Sequence, residues 1–262
     1  MRKQSFLFIM AFALIASACE KIIDLEVKEG DKRYILDAEL NTMDDSISII
    51  LSESVPYLSD DTPTYVENAT VELTPEGSSA ILVPYESNGR YALPLEALED
   101  QDYKLSVDFN DISVEANSHL TKKTNINELL IDENIEGDLI IRTALSDPAG
   151  EDNYYRIRYS IDGQKMDEVE NLVLFSDNNN DGEELTPRIL NELFESGKKV
   201  DVELMTMSKS QYEYYQGMLS ISDPSAFSYS VSAPANPVSN WSGDVLGYFS
   251  TYAIDTMSVV IP

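Results

Sequence analysis

The fold is predicted by two segments, VENATVELTPEG (residues 66–77) and SNGRYALPLEALEDQDYKLSV (residues 87–107). In both, short runs of alternating apolar and polar side chains stop at Gly, Asn, Asp or Pro. A period of two places the apolar side chains on one face of a strand, and the interruptions are typical of turns. Strands of this kind at short spacing predict an all-β sandwich.

The same pattern extends through the first half of the chain, where the predicted strands are 34–36, 46–51, 69–73 and 103–107. Gly89-Arg90-Tyr91 followed by Tyr103-Lys104-Leu105 resembles the prealbumin-like or carboxypeptidase-regulatory-like sandwich. An immunoglobulin-like sandwich explains the same residues. We therefore predict a β-sandwich domain of one of these kinds over residues 33–118.

A second, β-rich domain is expected over residues 125–262, because the polar stretch 119–127 lacks any periodicity. Its predicted strands are 139–141, 154–159, 172–175 and 200–204. One predicted helix, residues 187–196, has Thr186 as N-cap and Pro187 at its first position. Another, residues 208–219, opens with a capping-box pattern of Ser208 and Gln211. The predicted class is mainly β, a sandwich followed by a β-rich α+β domain with one or two short helices.

Residues 1–18 read as a secretory signal peptide. Arg2 and Lys3 form the positive start, residues 6–15 are apolar, and residues 16–18 are a small-residue cleavage site. The apolar run is about half of the roughly twenty residues that a transmembrane helix needs.

Cys19, the only cysteine, follows this site directly, and residues 15–19 resemble the bacterial lipobox. The resemblance implies that Cys19 is lipidated and anchors the protein in a membrane. An ordinary cleaved signal followed by an incidental cysteine is the alternative. Residues 19–32 are then the lipidated cysteine and a charged tether, similar to the surface-export signal of Bacteroidota lipoproteins. We therefore expect an outer-membrane, surface-exposed location.

The formal charge of -29 makes nucleic acid an unsuitable partner, since 18 Lys and Arg residues are scattered among 47 acids. Such acidity is typical of a soluble exposed surface. A cationic partner or bound divalent ions would also match it.

The composition indicates no catalytic residue. His119 is the only histidine and lies in the predicted linker, and no thiol remains free once Cys19 is lipidated. Serine and cysteine triads and His/Cys zinc sites are therefore disfavoured. An enzyme that uses only a pair of carboxylates stays open, although no pair stands out among 47 acids.

The loop SDNNNDGEE, residues 176–184, matches the first half of a calcium loop. Its candidate ligands are Asp177, Asn179, Asp181 and Glu183. The twelfth loop position, which should be Glu, is Arg188. A metal-free turn rich in Asn, Asp and Gly explains the loop equally well, so calcium and a plain turn both stay open.

Two aromatic runs, Tyr154-Tyr155 and Tyr212-Glu213-Tyr214-Tyr215, are able either to stack on sugars or to pack in the core. On the second predicted helix, Tyr212 and Tyr215 are three residues apart. Both can therefore face the core while Tyr214 points elsewhere.

The order of several short motifs resembles a family of Bacteroidota lipoproteins, domain of unknown function 4249. The matching residues are 19–25, 69–73, 147–150 with 153–155, 175–177 with 181–182, 236–237 and 247–249. The Asn-rich insert 178–180 departs from the more apolar loop of relatives.

The family has no established activity, and its members are often encoded beside TonB-dependent outer-membrane receptors. The resemblance therefore implies a non-enzymatic accessory or binding subunit of such a receptor, active in nutrient uptake. A carboxylate-based carbohydrate-active enzyme and a structural or adhesive surface lipoprotein are the alternatives.

Overall fold

The fold is mainly β, as the sequence predicted. The computed structural model describes residues 32–55, 61–178, 180–222 and 236–262. Within these ranges the chain forms seventeen strands, a helix α1 (Lys209–Ser222) and a short 3-10 helix (Val169–Asn171). The strands belong to three sheets, A, B and C.

Sheet A is the largest and contains both ends of the described chain. Its strands are β1 (Tyr34–Asn41), β2 (Ser46–Glu53), β5 (Tyr85–Ser87), β6 (Arg90–Pro94), β11 (Tyr154–Ile161), β12 (Gln164–Lys165), β13 (Val173–Ser176), β16 (Lys199–Met207) and β17 (Phe249–Val260). Their order is β12-β11-β16-β17-β1-β2-β6-β5, and β13 also pairs with β11. Neighbouring strands are antiparallel except β1 and β17, which are parallel with Ala38 opposite Phe249.

Sheets B and C are smaller. Sheet B contains β3 (Thr70–Pro75), β4 (Ile81–Leu82), β7 (Gln101–Phe109) and β8 (Ile112–Leu120), in the order β4-β3-β7-β8. Sheet C contains β9 (Ile126–Glu133), β10 (Leu139–Ser146), β14 (Glu184–Leu185) and β15 (Arg188–Leu190), with β10 pairing with the other three.

Each smaller sheet encloses a hydrophobic core with sheet A. The first core joins inward side chains of β1, β2 and β6 to those of β3, β7 and β8, so sheets A and B form a sandwich. The second joins β11 and β16 to β9, β10 and β15. Strand β17 contributes Phe249 and Ala253 to the first core and Met257 and Val259 to the second. One continuous sheet therefore serves both sandwiches.

The chain passes from the first core to the second close to the predicted boundary at residues 119–127. Strand β8 ends in the first core with Leu120, and β9 begins in the second with Ile126. Trp241 nevertheless returns to the first core, where its Nε1–H donates to the Leu36 carbonyl at 2.9 Å. The described residues between 32 and 262 accordingly form a single compact unit, in which Trp241 and the start of β17 complete the first sandwich.

The predicted helix over residues 187–196 is wrong, because this segment forms strand β15 and a following turn. Ile189 pairs with Ile141 of β10 and is fully buried. After the strand, the Asn191 side chain accepts the Leu193 N–H at 2.9 Å, which favours a turn. The apolar residues are buried as expected, but pairing with β10 outweighs the local helix signal.

The second predicted helix is confirmed as α1. Ser208 Oγ accepts the Gln211 N–H at 3.4 Å, which is one half of the capping box. The other half is missing, since the Gln211 side chain has no hydrogen bond among the described residues. Helix α1 covers the outer face of sheet A, where Tyr212 and Tyr215 pack on a small cluster of Met205, Met207, Tyr252 and Ile254.

Candidate functional site

An aspartate cluster lies where the end of β10 meets the loop after β13. Asp147 follows β10, Asp177 follows β13, and Asp181 lies in the same loop as Asp177. One carboxylate oxygen from each lies within 4.8 Å of the others. Asp147 and Asp177 are buried, at 6% and 3% exposure, whereas Asp181 is exposed.

Hydrogen bonds from the loop after β13, from the connection between β10 and β11 and from β11 itself hold the carboxylates in place. The bonds are Tyr155 O–H to Asp147 (2.6 Å), Gly182 N–H to Asp147 (3.0 Å), Asn153 N–H to Asp177 (3.0 Å) and Gly150 N–H to Asp181 (2.7 Å). The loop that carries Asp177 and Asp181 is therefore held against the connection between β10 and β11.

The cluster concentrates negative charge in a mostly buried position. Burial raises the pKa of Asp177 above its ordinary value, and the charges of Asp147, Asp152 and Asp181 raise it further. The Asn153 N–H opposes this shift. A divalent cation would relieve the repulsion, and carboxylate oxygens are the ligands that Ca²⁺ takes.

The structure brings together two of the four predicted calcium ligands, Asp177 and Asp181, and adds Asp147. The backbone carbonyl of Glu183 accepts the Asp147 N–H at 3.1 Å, while its exposed side chain is not in the cluster. Asn179 lies outside the described residues.

Asp147 was missed as a ligand because it is 30 residues before Asp177 in the sequence. The signal that would have found it is the motif D-P-A-G at residues 147–150, which meets the later D-G at residues 181–182. Gly182 has a φ of +74°, and a Cβ there would lie 2.6 Å from the Ala149 Cβ. The close contact between the two motifs therefore requires this glycine.

A cleft of about 370 Å³ lies between α1 and the outward face of β1, β2 and β6. The helix contributes Tyr214, Tyr215 and Met218, and Tyr248 lies beside them just before β17. The sheet contributes the remaining lining residues, Asp37, Ala38, Glu39, Ser48, Ile50, Arg90 and Ser250.

Tyrosine rings and carboxylates dominate the chemistry of this cleft. The ring centroids of Tyr214 and Tyr248 are 4.6 Å apart, and the Tyr248 hydroxyl donates to Ser210 Oγ at 3.0 Å. Crowding by protein atoms raises the pKa of Asp37, although its side chain retains access to solvent. Burial and the Asp37 charge also raise the pKa of Tyr214, so its phenol stays protonated. The cleft can therefore bind a ligand by ring contacts, hydrogen bonds and charge.

His119 lies in strand β8 rather than in a linker, so its predicted placement is wrong. Its Nδ1 is 2.7 Å from Asp102 Oδ1 on the neighbouring strand, and its Nε2 is 3.7 Å from Asp100. Strand pairing brings His119 opposite Asp102 and explains this contact without any catalytic role.

Cys19 and the predicted signal peptide lie outside the described residues. Along the part of the chain that the structure does describe, no helix combines the length and apolar character needed to cross a bilayer.

Similar solved structures include a cytokine receptor complex, with 12% identity over 68% of this chain and 86% of that one, at a TM-score of 0.28. A segment of two fibronectin type-III domains from chicken tenascin has 14% identity over 68% and 92%, at a TM-score of 0.23. Such values support no inference about function. No curated protein matches the chain.

The comparison with protein families is more informative, because one model spans residues 20–258, nearly all of the chain after residue 19. The chain belongs to the family described as Domain of unknown function (DUF4249).

Proposed function

We propose that the protein is a lipid-anchored, non-enzymatic binding subunit on the surface of the outer membrane of a Bacteroidota cell, accessory to a TonB-dependent receptor in nutrient uptake. The observation that carries this proposal is the position of Cys19. The only cysteine follows directly after a positive, an apolar and a small-residue segment. That order is what signal-peptide cleavage and lipidation require.

The compact fold of two β-sandwiches supports a binding role. Residues 32–262 form one unit in which two sandwiches share sheet A. A rigid sheet positions side chains well for recognition, and the cleft beside α1 offers tyrosine rings and carboxylates to a ligand. A charged tether between residue 19 and the first strand leaves room to reach a neighbouring membrane protein.

A carboxylate-based carbohydrate-active enzyme is the second candidate, and the aspartate cluster is the observation that favours it. Retaining glycosidases hold two carboxyl groups about 5–5.5 Å apart. The carboxylates of Asp147, Asp177 and Asp181 approach within 4.8 Å. Backbone N–H groups already occupy an oxygen of each, which is more typical of a structural or metal-binding role.

The test is affinity purification from native membranes after mild crosslinking, with a tag placed after the exposed Pro262. We expect an outer-membrane β-barrel receptor to co-purify with the wild-type chain. Cys19→Ser should lose both membrane attachment and the receptor. Ser17→Ala, which alters the same segment but keeps the cysteine, should retain both.

Two outcomes would contradict the proposal. One is a Cys19→Ser chain that remains bound to membranes as well as the wild type. The other is repeated recovery without a barrel receptor, together with turnover of a glycan that Asp177→Asn abolishes. The second outcome would favour the enzyme.

A further inference from the structure

Helix α1 packs on the outer face of sheet A with polar groups that the packing buries but does not bond. Gln211 is fully buried, and neither its Nε2 nor its Oε1 has a hydrogen-bond partner among the described residues. On the sheet, Arg156 of β11 has a buried Nε in the same condition, and its guanidinium group lies 4.5 Å from the centroid of the Tyr215 ring of α1. Buried polar groups are nearly always bonded, and an unbonded one weakens the packing around it.

The sequence of α1 contributes little helix stability of its own. Its first turn begins with Lys209 and has no acidic residue, and its last turn has no basic residue, so no charge complements the helix dipole. Gly217 lies in the helix interior, where glycine is unfavourable. The capping bond from the Gln211 N–H to Ser208 is long, at 3.4 Å. The helix therefore depends on its contacts with the sheet.

These contacts are separate from the cores of the two sandwiches. No residue of α1 belongs to the first or the second core. Instead, partly buried Tyr212 and Tyr215 cover the small cluster on β16 and β17, which consists of Met205, Met207, Tyr252 and Ile254. Loss of the helix would therefore remove no side chain from either core.

The strands beneath α1 are held without the helix. Strand β16 pairs along its whole length with β11 on one side and β17 on the other, and β17 also pairs with β1. Each of these ladders consists of strand-to-strand hydrogen bonds. The outer face of sheet A would therefore keep its shape if the helix moved away.

We propose that α1 is a displaceable cover of sheet A, which leaves the sheet while both sandwiches stay folded and thereby exposes the cluster of Met205, Met207, Tyr252 and Ile254. Segments with few buried apolar contacts open at a lower free energy than the rest of a protein. In the open form water bonds to the Gln211 amide, so the group that is unbonded in the closed form favours opening. A partner that prefers the uncovered face would shift the equilibrium toward it. The inference goes beyond the proposed function and does not rest on it.

The experiment is iodoacetamide labelling of single introduced cysteines in the full chain, kept in neutral detergent micelles. Met205→Cys places a thiol beneath α1, whereas Leu204→Cys places one in the second core. The two wild-type side chains are neighbours on β16 and both are fully buried, so they form a matched pair. Peptide mapping by mass spectrometry counts the label at the introduced position alone. We expect the Met205→Cys chain to be labelled at least tenfold faster than the Leu204→Cys chain, and Met207→Cys to behave like Met205→Cys.

A second substitution assigns the opening to the interface of α1. Gln211→Met in the Met205→Cys chain should slow labelling at least fivefold, because it removes an unbonded amide from the closed form only. Glu213→Met is the matched control, since it places the same side chain at an exposed position of the same helix. Glutamate and methionine have similar helix propensities, so labelling should change less than threefold.

The proposal is overturned by equal labelling rates of the Met205→Cys and Leu204→Cys chains, which would mean that α1 opens only when the whole protein unfolds. It is also overturned if Gln211→Met leaves labelling unchanged or makes it faster. The labelling involves no receptor and no membrane. Its failure would therefore leave receptor association to be judged by co-purification, so the two proposals fail separately.

Discussion

Replacing Leu204 with alanine should weaken both sandwiches, although this side chain lies only in the second core. Leu204 is fully buried on β16, which pairs with β17 across the whole of the second sandwich. Removing a buried leucine side chain costs about 2–5 kcal/mol. Urea denaturation has a slope of roughly 1–3 kcal/mol/M for small proteins and a larger one for longer chains, so the midpoint should fall by about 1 M.

Trp241 reports on the first core, because it is the only tryptophan and is buried there. Far-UV circular dichroism reports on all three sheets. Since β17 belongs to both cores, we expect one cooperative transition, with Trp241 fluorescence and circular dichroism shifted equally in Leu204→Ala. Leu190→Ala is the matched control, because Leu190 is 60% exposed in the same sandwich and its loss should cost less than about 0.5 kcal/mol. A Trp241 midpoint that stays at the wild-type value while circular dichroism shows an earlier transition would refute the coupling.

Three further predictions concern the aspartate cluster and the β1–β17 contact. Calcium at ten times its dissociation constant should raise the free energy of unfolding by about 1.4 kcal/mol. Sodium at equal ionic strength should have no effect, and calcium should have none on Asp181→Asn. A melting temperature that calcium leaves unchanged would favour the metal-free turn. The raised pKa of Asp177 means that its contribution to stability is present below about pH 3.8 and is lost as the pH rises through the folded pKa. In calcium-free urea titrations, Asp177→Asn should therefore gain stability relative to the wild type between pH 3.5 and pH 7, and a constant difference would contradict this. Gly247→Ala should cost more than about 2 kcal/mol, because φ is +91° and the new Cβ would lie 2.3 Å from the Leu36 carbonyl oxygen. Gly77 has a φ of +71° and no atom within 4 Å of a new Cβ, so Gly77→Ala should lower the free energy of unfolding clearly less. Equal losses in the two variants would show that the contact with the Leu36 carbonyl is unimportant.

Period-two alternation was sufficient to predict most of the long strands, because each buries one face against a core. Strands 46–51 and 103–107 are examples, and both lie within observed strands. The parallel pairing of β1 with β17 could not be predicted in this way, since it joins residues about two hundred positions apart and leaves no local signal. The helix predicted over residues 187–196 failed for a related reason, because pairing of β15 with β10 is likewise non-local.

The candidate sites were only partly visible in the sequence. Asp177 and Asp181 stood out because they share one loop, whereas Asp147 reaches them only through the pairing of β10 with β14. The cleft was less visible still. Tyr214 was expected to point away from the core, and it lines the cleft, but Asp37 comes from a strand at the other end of the chain.

The inward face of α1 violates the rule that a packed helix face is apolar, and this violation has a physical meaning. Its most buried position is Gln211, and tyrosines follow where leucines would give a better core. Replacing the buried amide with an apolar side chain should make the free protein more stable, so fold stability alone does not explain it. Proteins tend to break such local rules at functional sites. Gln211 is fully buried and has no hydrogen-bond partner among the described residues, so it is the position of α1 to which this argument applies.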